Sequence, residues 1–455
     1  MQVPDLIAEL RSLLGDRLAT GDAVREAHGR DESHHAPAPP DAVAFVQSTE
    51  EVAAVVKACA ARGVPVVPFG TGTALEGGVG AVKGGVCIDL SGMNRILRIS
   101  PEDMDVTVEA GVTRKRLNED LRDTGLFFPI DPGADASIGG MAATRASGTN
   151  AVRYGTMRDA VLNLTVVLAD GQVIRTGGRA RKSAAGYDLT RLFVGSEGTL
   201  GVITEITLRL HGQPEAISAA ICPFPSVDDA VQCCILAIQC GVPLARVELL
   251  DEVQMGACIR YSKLDYPAAP TLFFEFHGSP ASVREQAETV QQIAADCGGS
   301  DFHWTDTAEE RSRLWQARHD ALYAALALKP GARAWSTDLC VPIASLGICI
   351  GETRADIESS PLTATIVGHV GDGNFHVIFL LDPAKPGDFA EAERLNARMV
   401  ARALALDGTC TGEHGIGRGK IGCLIDEMGP AIEVMRAVKI ALDPGNIMNP
   451  GKILA

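Results

Sequence analysis

Two histidines and an asparagine stand close together in Ile366-Val-Gly-His-Val-Gly-Asp-Gly-Asn-Phe-His-Val-Ile-Phe379, and a further histidine follows a glutamate in Thr411-Gly-Glu-His-Gly-Ile-Gly417. Imidazole nitrogens and carboxylate oxygens are ligands for a divalent ion, and a neutral imidazole is a base near pH 7. The Asp372-Gly373 pair between two β-rich runs predicts a hairpin with a two-residue turn. In that register Gly371 faces Asn374, Val370 faces Phe375 and His369 faces His376. Side chains two apart on a strand share a face, so His369, Asn374 and His376 point the same way. Directly opposed residues bring their Cβ atoms to about 4.5–5.5 Å, near enough for two imidazoles to grip one ion. Glu413 is the candidate third ligand and His414 the candidate base. The flanking glycines suit a backbone that approaches a ligand closely, and they suit an ordinary turn as well.

A second constellation is poor in charge and rich in small residues. The loop Pro68-Phe-Gly-Thr-Gly-Thr-Ala-Leu-Glu-Gly-Gly78 lacks the lysine of a Walker motif and does not match GxGxxG followed by a helix. Gly70 and Gly72 let backbone N–H groups converge on an anion, and Thr71 and Thr73 add hydroxyl donors. Downstream, Asp131-Pro-Gly-Ala-Asp-Ala-Ser-Ile-Gly-Gly-Met-Ala-Ala-Thr-Arg-Ala-Ser-Gly-Thr-Asn150 and Arg153-Tyr-Gly-Thr156 offer main chain against which a flat cofactor can lie. Gly195-Ser-Glu-Gly-Thr-Leu-Gly201 is another glycine-dense turn.

The elements that must hold these residues follow from periodicity and caps. A helix is expected from Pro4 to Leu18, then a proline-rich connector at Ala36–Pro40. Strand Ala42–Val46, a helix opened by the capping box Ser48-Thr-Glu-Glu51, and strand Val64–Val67 form a β-α-β unit. Strands follow at Val86–Leu90, Asp105–Glu109, Leu162–Leu168 and Gly201–Leu210. After Pro214 the texture changes. Strands are expected at Ala216–Ile221, Ala245–Leu250 and Thr271–His277, with helices at Ser226–Gln239, Pro280–Asp296, Ala308–Leu328 and 388–405. One helix, Pro430–Ala441, is expected in the last forty residues.

At 455 residues the chain is too long for one ordinary core, and two or three domains are expected. A formal net charge of −16 argues against nucleic acid and against an anionic membrane surface as partners. No apolar run reaches the length of a membrane span. The twelve cysteines form no CxxC pair and several lie in apolar runs, so they read as small buried hydrophobes in a reducing compartment. Acids at Asp5 and Glu9 and the lack of a signal peptide point to a cytoplasmic, bacterial-type protein.

Together the segments Pro68–Gly78, Asp131–Asp159, Lys182–Tyr187, Gly195–Leu210, Gly368–His376, Thr409–Lys420 and Asn449–Lys452 resemble the FAD-dependent oxidoreductases of the vanillyl-alcohol-oxidase, or para-cresol-methylhydroxylase, type. Within that family they resemble the D-2-hydroxyacid dehydrogenases. The resemblance covers nearly the whole chain. It implies an α+β fold: a two-subdomain flavin-binding domain, an inserted α+β cap domain of antiparallel sheet and helices, and a C-terminal helical return to the flavin. The implied divisions are an N-terminal helical segment at 1–37, the FAD-binding domain at 38–213, the substrate or cap domain carrying the metal hairpin at 214–410, and the completing segment at 411–455.

The resemblance also implies roles. Pro68, Gly70, Thr71, Gly72, Thr73 and Leu75 would take the pyrophosphate. Pro132, Gly133, Ser137, Ile138, Gly139, Gly140, Ala143, Ser147 and Gly148, with Tyr154 and Gly155, would line adenine, ribose and isoalloxazine. Glu197, Gly201 and Ile203 would add main-chain contacts, with Asn449 near the ring. Relatives with covalent flavin carry a histidine in the pyrophosphate loop; this chain has none there, so noncovalent FAD is expected. His369, His376 and Glu413 match the family's ligands to one divalent ion, zinc or manganese first. His414 matches its base, Asn374 a residue that contacts substrate, and Arg318 one that binds a carboxylate.

One departure narrows the substrate. The 2-hydroxyglutarate branch holds its second carboxylate with a threonine one turn after the arginine and a lysine before an Asp-Leu motif. Here Leu322 and Ser336 stand at those places. D-lactate or a similar monocarboxylate is therefore expected over D-2-hydroxyglutarate, with the catalytic subunit of a glycolate oxidase as the alternative. The electrons would pass to cytochrome c, a quinone or an electron-transfer flavoprotein, and a homodimer is compatible with the family.

Overall fold

The computed structural model describes residues 2–454. The chain forms two compact units: one holds the residues up to Ser147, Gly155–Gln213 and everything from Glu413 onward, and the other holds Gly148–Tyr154 and Pro214–Gly412.

The first unit contains a four-stranded sheet in the order Leu18–Ala19, Ala42–Phe45, Val86–Asp89, Val66–Phe69. Ala42–Phe45 and Val66–Phe69 both run parallel to Val86–Asp89, which requires a crossover, here the helix Thr49–Ala60. Val52, Val55, Val56 and Cys59 face the core from that helix. Only half of the expected capping box forms. The Ser48 hydroxyl accepts from the Glu51 N–H at 3.3 Å. The Glu51 carboxylate turns instead to the Gln47 N–H at 2.8 Å and to Arg17 at 2.6 Å, because a nearby guanidinium outcompetes a neutral donor.

A five-stranded antiparallel sheet follows, ordered Ile96–Ser100, Asp105–Glu109, Val202–Arg209, Val161–Val167, Val173–Arg175. One apolar cluster runs from Leu6 to Met448 and includes residues of both sheets. The tail re-enters this unit beside the loop-bearing strand: the Val66 N–H donates to Ile447 O at 2.7 Å, and the Asn449 N–H donates to Val66 O at 2.8 Å. Two helices, Ile421–Met428 and Ala431–Leu442, occupy the last forty residues where one was expected. The first was invisible in the sequence because it has no side-chain cap and buries only Leu424.

The second unit is an eight-stranded sheet with helices packed on it. Its main path is His303–Thr305, Ala216–Pro223, Thr271–Gly278, Leu244–Leu250, Thr363–His369, Asn374–Leu381, Arg333–Ser336, and Leu339–Cys340 also pairs with Asn374–Leu381. Every pairing is antiparallel. Phe273, Leu314, Trp315, Ile378 and Leu380 belong to one of its buried clusters. The helix expected over Ala308–Leu328 breaks at Asp320 into Ala308–His319 and Ala321–Leu328. Asp320 has ψ 0°, outside the helical well, so Arg318 lies in the last turn of the first helix and Leu322 belongs to the second. No helix among the described residues is long and apolar enough to cross a membrane.

Candidate active site

The hairpin forms, with a correction to its turn. Strands Thr363–His369 and Asn374–Leu381 are joined by four residues, a 3-10 turn at Val370–Asp372 followed by Gly373 at φ +76°. His369 therefore faces Asn374, and His376 faces Val367. Gly373 lies under the Val341 carbonyl, 2.0 Å from where a Cβ would stand, so only glycine fits there. That neighbour, distant in sequence, shapes the loop. The slip is two residues, an even number, so the shared face survives. The two imidazoles are diagonal neighbours with ring centroids 5.3 Å apart and planes at 80°.

Each imidazole is held from behind. His369 Nδ1 lies 2.6 Å from Glu248 Oε1, and His376 Nδ1 lies 2.9 Å from the Thr337 carbonyl oxygen. Both partners accept, so both Nδ1 atoms carry hydrogen, and a ring that is neutral carries its lone pair on Nε2. Histidines that ligate metals are oriented in this way. Glu248 is fully buried, and its Oε2 takes Nε and Nη2 of Arg318 at 2.8 and 2.7 Å. Burial pushes its pKa up, but the charges and hydrogen bonds of His369 and Arg318 outweigh burial and hold it below the usual carboxylate range. Glu248 was not singled out in the sequence. Its signal was there: the one acid in the Ala245–Leu250 run, which apart from Arg246 is otherwise apolar, must be paired if that strand is buried.

Asn374 donates both amide hydrogens inward, to Asp338 Oδ1 at 2.8 Å and to Leu339 O at 2.7 Å. Its Oδ1 is buried and accepts no hydrogen bond among the described residues, a state that suits a ligand hydroxyl. Asp338 Oδ2 accepts from the Thr411 hydroxyl at 2.6 Å. Gly412 packs so tightly on Asn374 that a Cβ would fall 2.2 Å from Nδ2. Glu413 is the next residue in the chain, so its Cα follows about 3.8 Å after a position pinned at the Asn374 amide. Asp338 and Thr411 are two further contributors that spacing alone did not reveal.

In the first unit the expected cofactor residues contribute backbone and space. Pro68 lies in the strand Val66–Phe69, and Gly70, Thr71, Gly72, Thr73 and Leu75 follow it as a loop. A Cβ on Gly70 would lie 2.3 Å from Ser137 Oγ, so the loop and the start of the helix Ile138–Thr144 nearly touch. Ser137 caps that helix by accepting from the Gly140 N–H at 3.3 Å. Pro132 and Gly133 lie in the coil before it. Gly139 lets the helix sit on Ala110, and Gly201 lets its strand pass Val166 beside Ile203. At each of these glycines the missing side chain lets two elements of the unit pack closely.

The Ala143 carbonyl accepts from the Glu197 N–H at 2.9 Å. Asn449 Nδ2 donates to Glu197 O at 2.7 Å and to Gly78 O at 3.1 Å. Ser147 and Gly155 belong to this unit, whereas Gly148 and Tyr154 belong to the other. There Asn150 receives Arg246 Nε at 2.9 Å, and the Tyr154 hydroxyl meets His277 Nδ1 at 2.7 Å, with His277 Nε2 on Glu275 at 2.9 Å.

The chain matches the family described as FAD linked oxidases, C-terminal domain, over residues 213–453, and the FAD binding domain over residues 40–177. It is 58% identical over 457 residues to a protein of Danio rerio named probable D-lactate dehydrogenase, mitochondrial, covering 99% of this chain and 92% of that one. It is 50% identical over 457 residues to D-lactate dehydrogenase [cytochrome], mitochondrial, of Arabidopsis thaliana, covering 100% and 81%. Among solved structures, substrate-bound p-cresol methylhydroxylase superposes with a TM-score of 0.82 at 18% identity, covering 99% of this chain and 96% of that one. The chain belongs to the FAD-linked oxidase family, and its fold is the α+β fold of the para-cresol-methylhydroxylase type.

The expectation of a cytoplasmic, bacterial-type protein is corrected by these relatives, both of which are named as mitochondrial. Compartment is specified by addressing segments that are removed from the folded protein, so the charge and hydropathy of the folded part do not report it.

Proposed function

We propose that this chain oxidises D-lactate to pyruvate, with noncovalently bound FAD as the immediate electron acceptor and a cytochrome c-like protein as the next. Two of its relatives by sequence are named D-lactate dehydrogenases, and one of them is of the cytochrome type. His369, His376 and Glu413 would hold one divalent ion, zinc or manganese. The observation that carries this is the pair of imidazoles whose Nδ1–H groups are both spent on buried acceptors. The glycine-lined loop and the capped helix suit FAD because they present bare main chain, packed so closely that a Cβ at Gly70 or Gly139 would strike Ser137 or Ala110.

When bound, the flavin supplies the acceptor for the C2 hydride and the ion supplies positive charge that eases removal of the hydroxyl proton. The protein does the rest. His414 accepts that proton as a neutral imidazole. Arg318 keeps Nη1 for the substrate carboxylate while Nε and Nη2 stay on Glu248. Asn374 contacts the substrate beside these groups and aligns C2. Leu322 and Ser336 offer no cation to a second carboxylate, which favours a short 2-substituent.

The test is anaerobic mixing of the yellow protein with D-lactate while flavin absorbance and metal content are measured on one sample. Rapid bleaching with a stoichiometric transition ion is expected, and His414→Ala should bleach about 10²–10⁴-fold more slowly with both cofactors retained. A flavin that stays oxidised under D-lactate overturns the proposal.

A further inference from the structure

We infer that Glu197 is a positioning residue whose side-chain carboxylate sets the backbone that carries Glu413 and His414. The family resemblance gives this residue only a main-chain contact to the cofactor. Its side chain does something else. Oε1 accepts from the Ile416 N–H at 2.7 Å and Oε2 accepts from the Gly417 N–H at 2.8 Å. Two consecutive amides are thus gripped by one carboxylate, two residues beyond His414. Gly415 sits at φ +82°, and a Cβ there would stand 2.7 Å from Glu197 Oε1. Gly417 sits at φ +50°, where a Cβ would stand 2.0 Å from the Glu76 carbonyl oxygen. The turn after Glu413-His414 is therefore wrapped around this carboxylate, and glycine is needed on both sides of Ile416.

Glu197 is itself fastened at both ends of its residue. Its N–H donates to Ala143 O in the glycine-rich helix, and its carbonyl receives the Asn449 amide from the tail. It adopts φ +49°, a conformation uncommon for a residue with a side chain. Lys452, buried, backs the assembly by donating to Gly80 O at 2.6 Å and to Asn449 Oδ1 at 3.4 Å. Burial pushes the Glu197 pKa up to about 7, against the pull of the Ile416 and Gly417 amides and of Lys452 and Lys420. A neutral residue would be cheaper to bury, so what the carboxylate adds is its pair of acceptors. One residue thereby links the flavin-side helix, through its N–H, to the stretch of backbone that presents the third ligand and the base, through its carboxylate. This inference rests on the function proposed above.

Glu197→Gln tests it, because the amide keeps the shape and loses one acceptor. The holoprotein variant should keep its flavin absorbance. Amide hydrogen exchange across residues 411–420 should accelerate. Flavin reduction by D-lactate should slow by about 10–100-fold, the usual scale for a lost outer-shell partner, with little change in KM. Unchanged exchange at Ile416 and Gly417 overturns the inference, and so does loss of flavin in parallel with rate, which would make Glu197 a cofactor or folding residue. If wild-type protein is not reduced by D-lactate, the proposed function fails, while the exchange result still decides whether Glu197 holds the turn. Should Glu197→Gln not fold, Glu197→Asp, too short to reach both amides, is read by the same two measurements.

Discussion

Gly70, Gly72, Gly139 and Gly201 in the first unit contribute space and bare backbone, whereas Glu248, Arg318, His369 and His376 in the second contribute charge and lone pairs. The first set is shaped by what a Cβ would hit: Ser137, Phe69, Ala110 and Val166. The second set is shaped by hydrogen bonds between buried polar atoms, each within 2.6–2.9 Å. A large, flat, many-contact group is met by main chain, because backbone amides present donors without rotamer entropy. A small ion and a small acid are met by side chains, because direction and charge must converge on few atoms. The two units therefore fail differently when single residues change.

The sharpest break in this contrast is His369→Ala or His376→Ala. Either should abolish metal binding and nearly all turnover while the protein stays yellow, as read by elemental analysis and flavin absorbance. A colourless, metal-replete variant would show that the division of labour is wrong. Next in size is Glu248→Gln, which keeps shape but removes the charge shared by His369 and Arg318. Metal affinity should weaken about 10–100-fold, measured by chelator competition, with flavin content unchanged. Wild-type affinity in this variant would demote Glu248 to a spacer for Arg318. The smallest effect belongs to the first unit. Gly139→Ala places a Cβ 2.6 Å from Ala110 Cβ and 2.9 Å from its carbonyl oxygen. Overpacking of this kind costs about 1–3 kcal/mol, against about 0.5–1 kcal/mol that alanine gains over glycine inside a helix. A lowered Tm and weakened flavin retention with normal metal content are expected; metal loss with flavin retained would reverse the assignment of the two units.

Much of the β-α-β start and many strands and helices of the second unit could be read from periodicity and caps. Asp105–Glu109 and Pro280–Asp296 match residue for residue. What escaped reading had weak local signals: the uncapped helix Ile421–Met428 and the break at Asp320. At the site, His369, Asn374 and His376 were legible because they share one short hairpin. Glu248, Asp338 and the side-chain role of Glu197 were not, because each acts on a residue far along the chain.

The order of amino acids alone decided that His369, Asn374 and His376 would share one face of a sheet. Alternation along a strand is a local property, and a slip of two residues in the turn leaves it intact. Only the tertiary structure decided the register of the turn, since Val341 crowds Gly373, and which acids stand behind the imidazoles. Those choices depend on which strands become neighbours. That neighbourhood is set by burial summed over the whole sheet and by loop closure over long separations, not by any window of sequence.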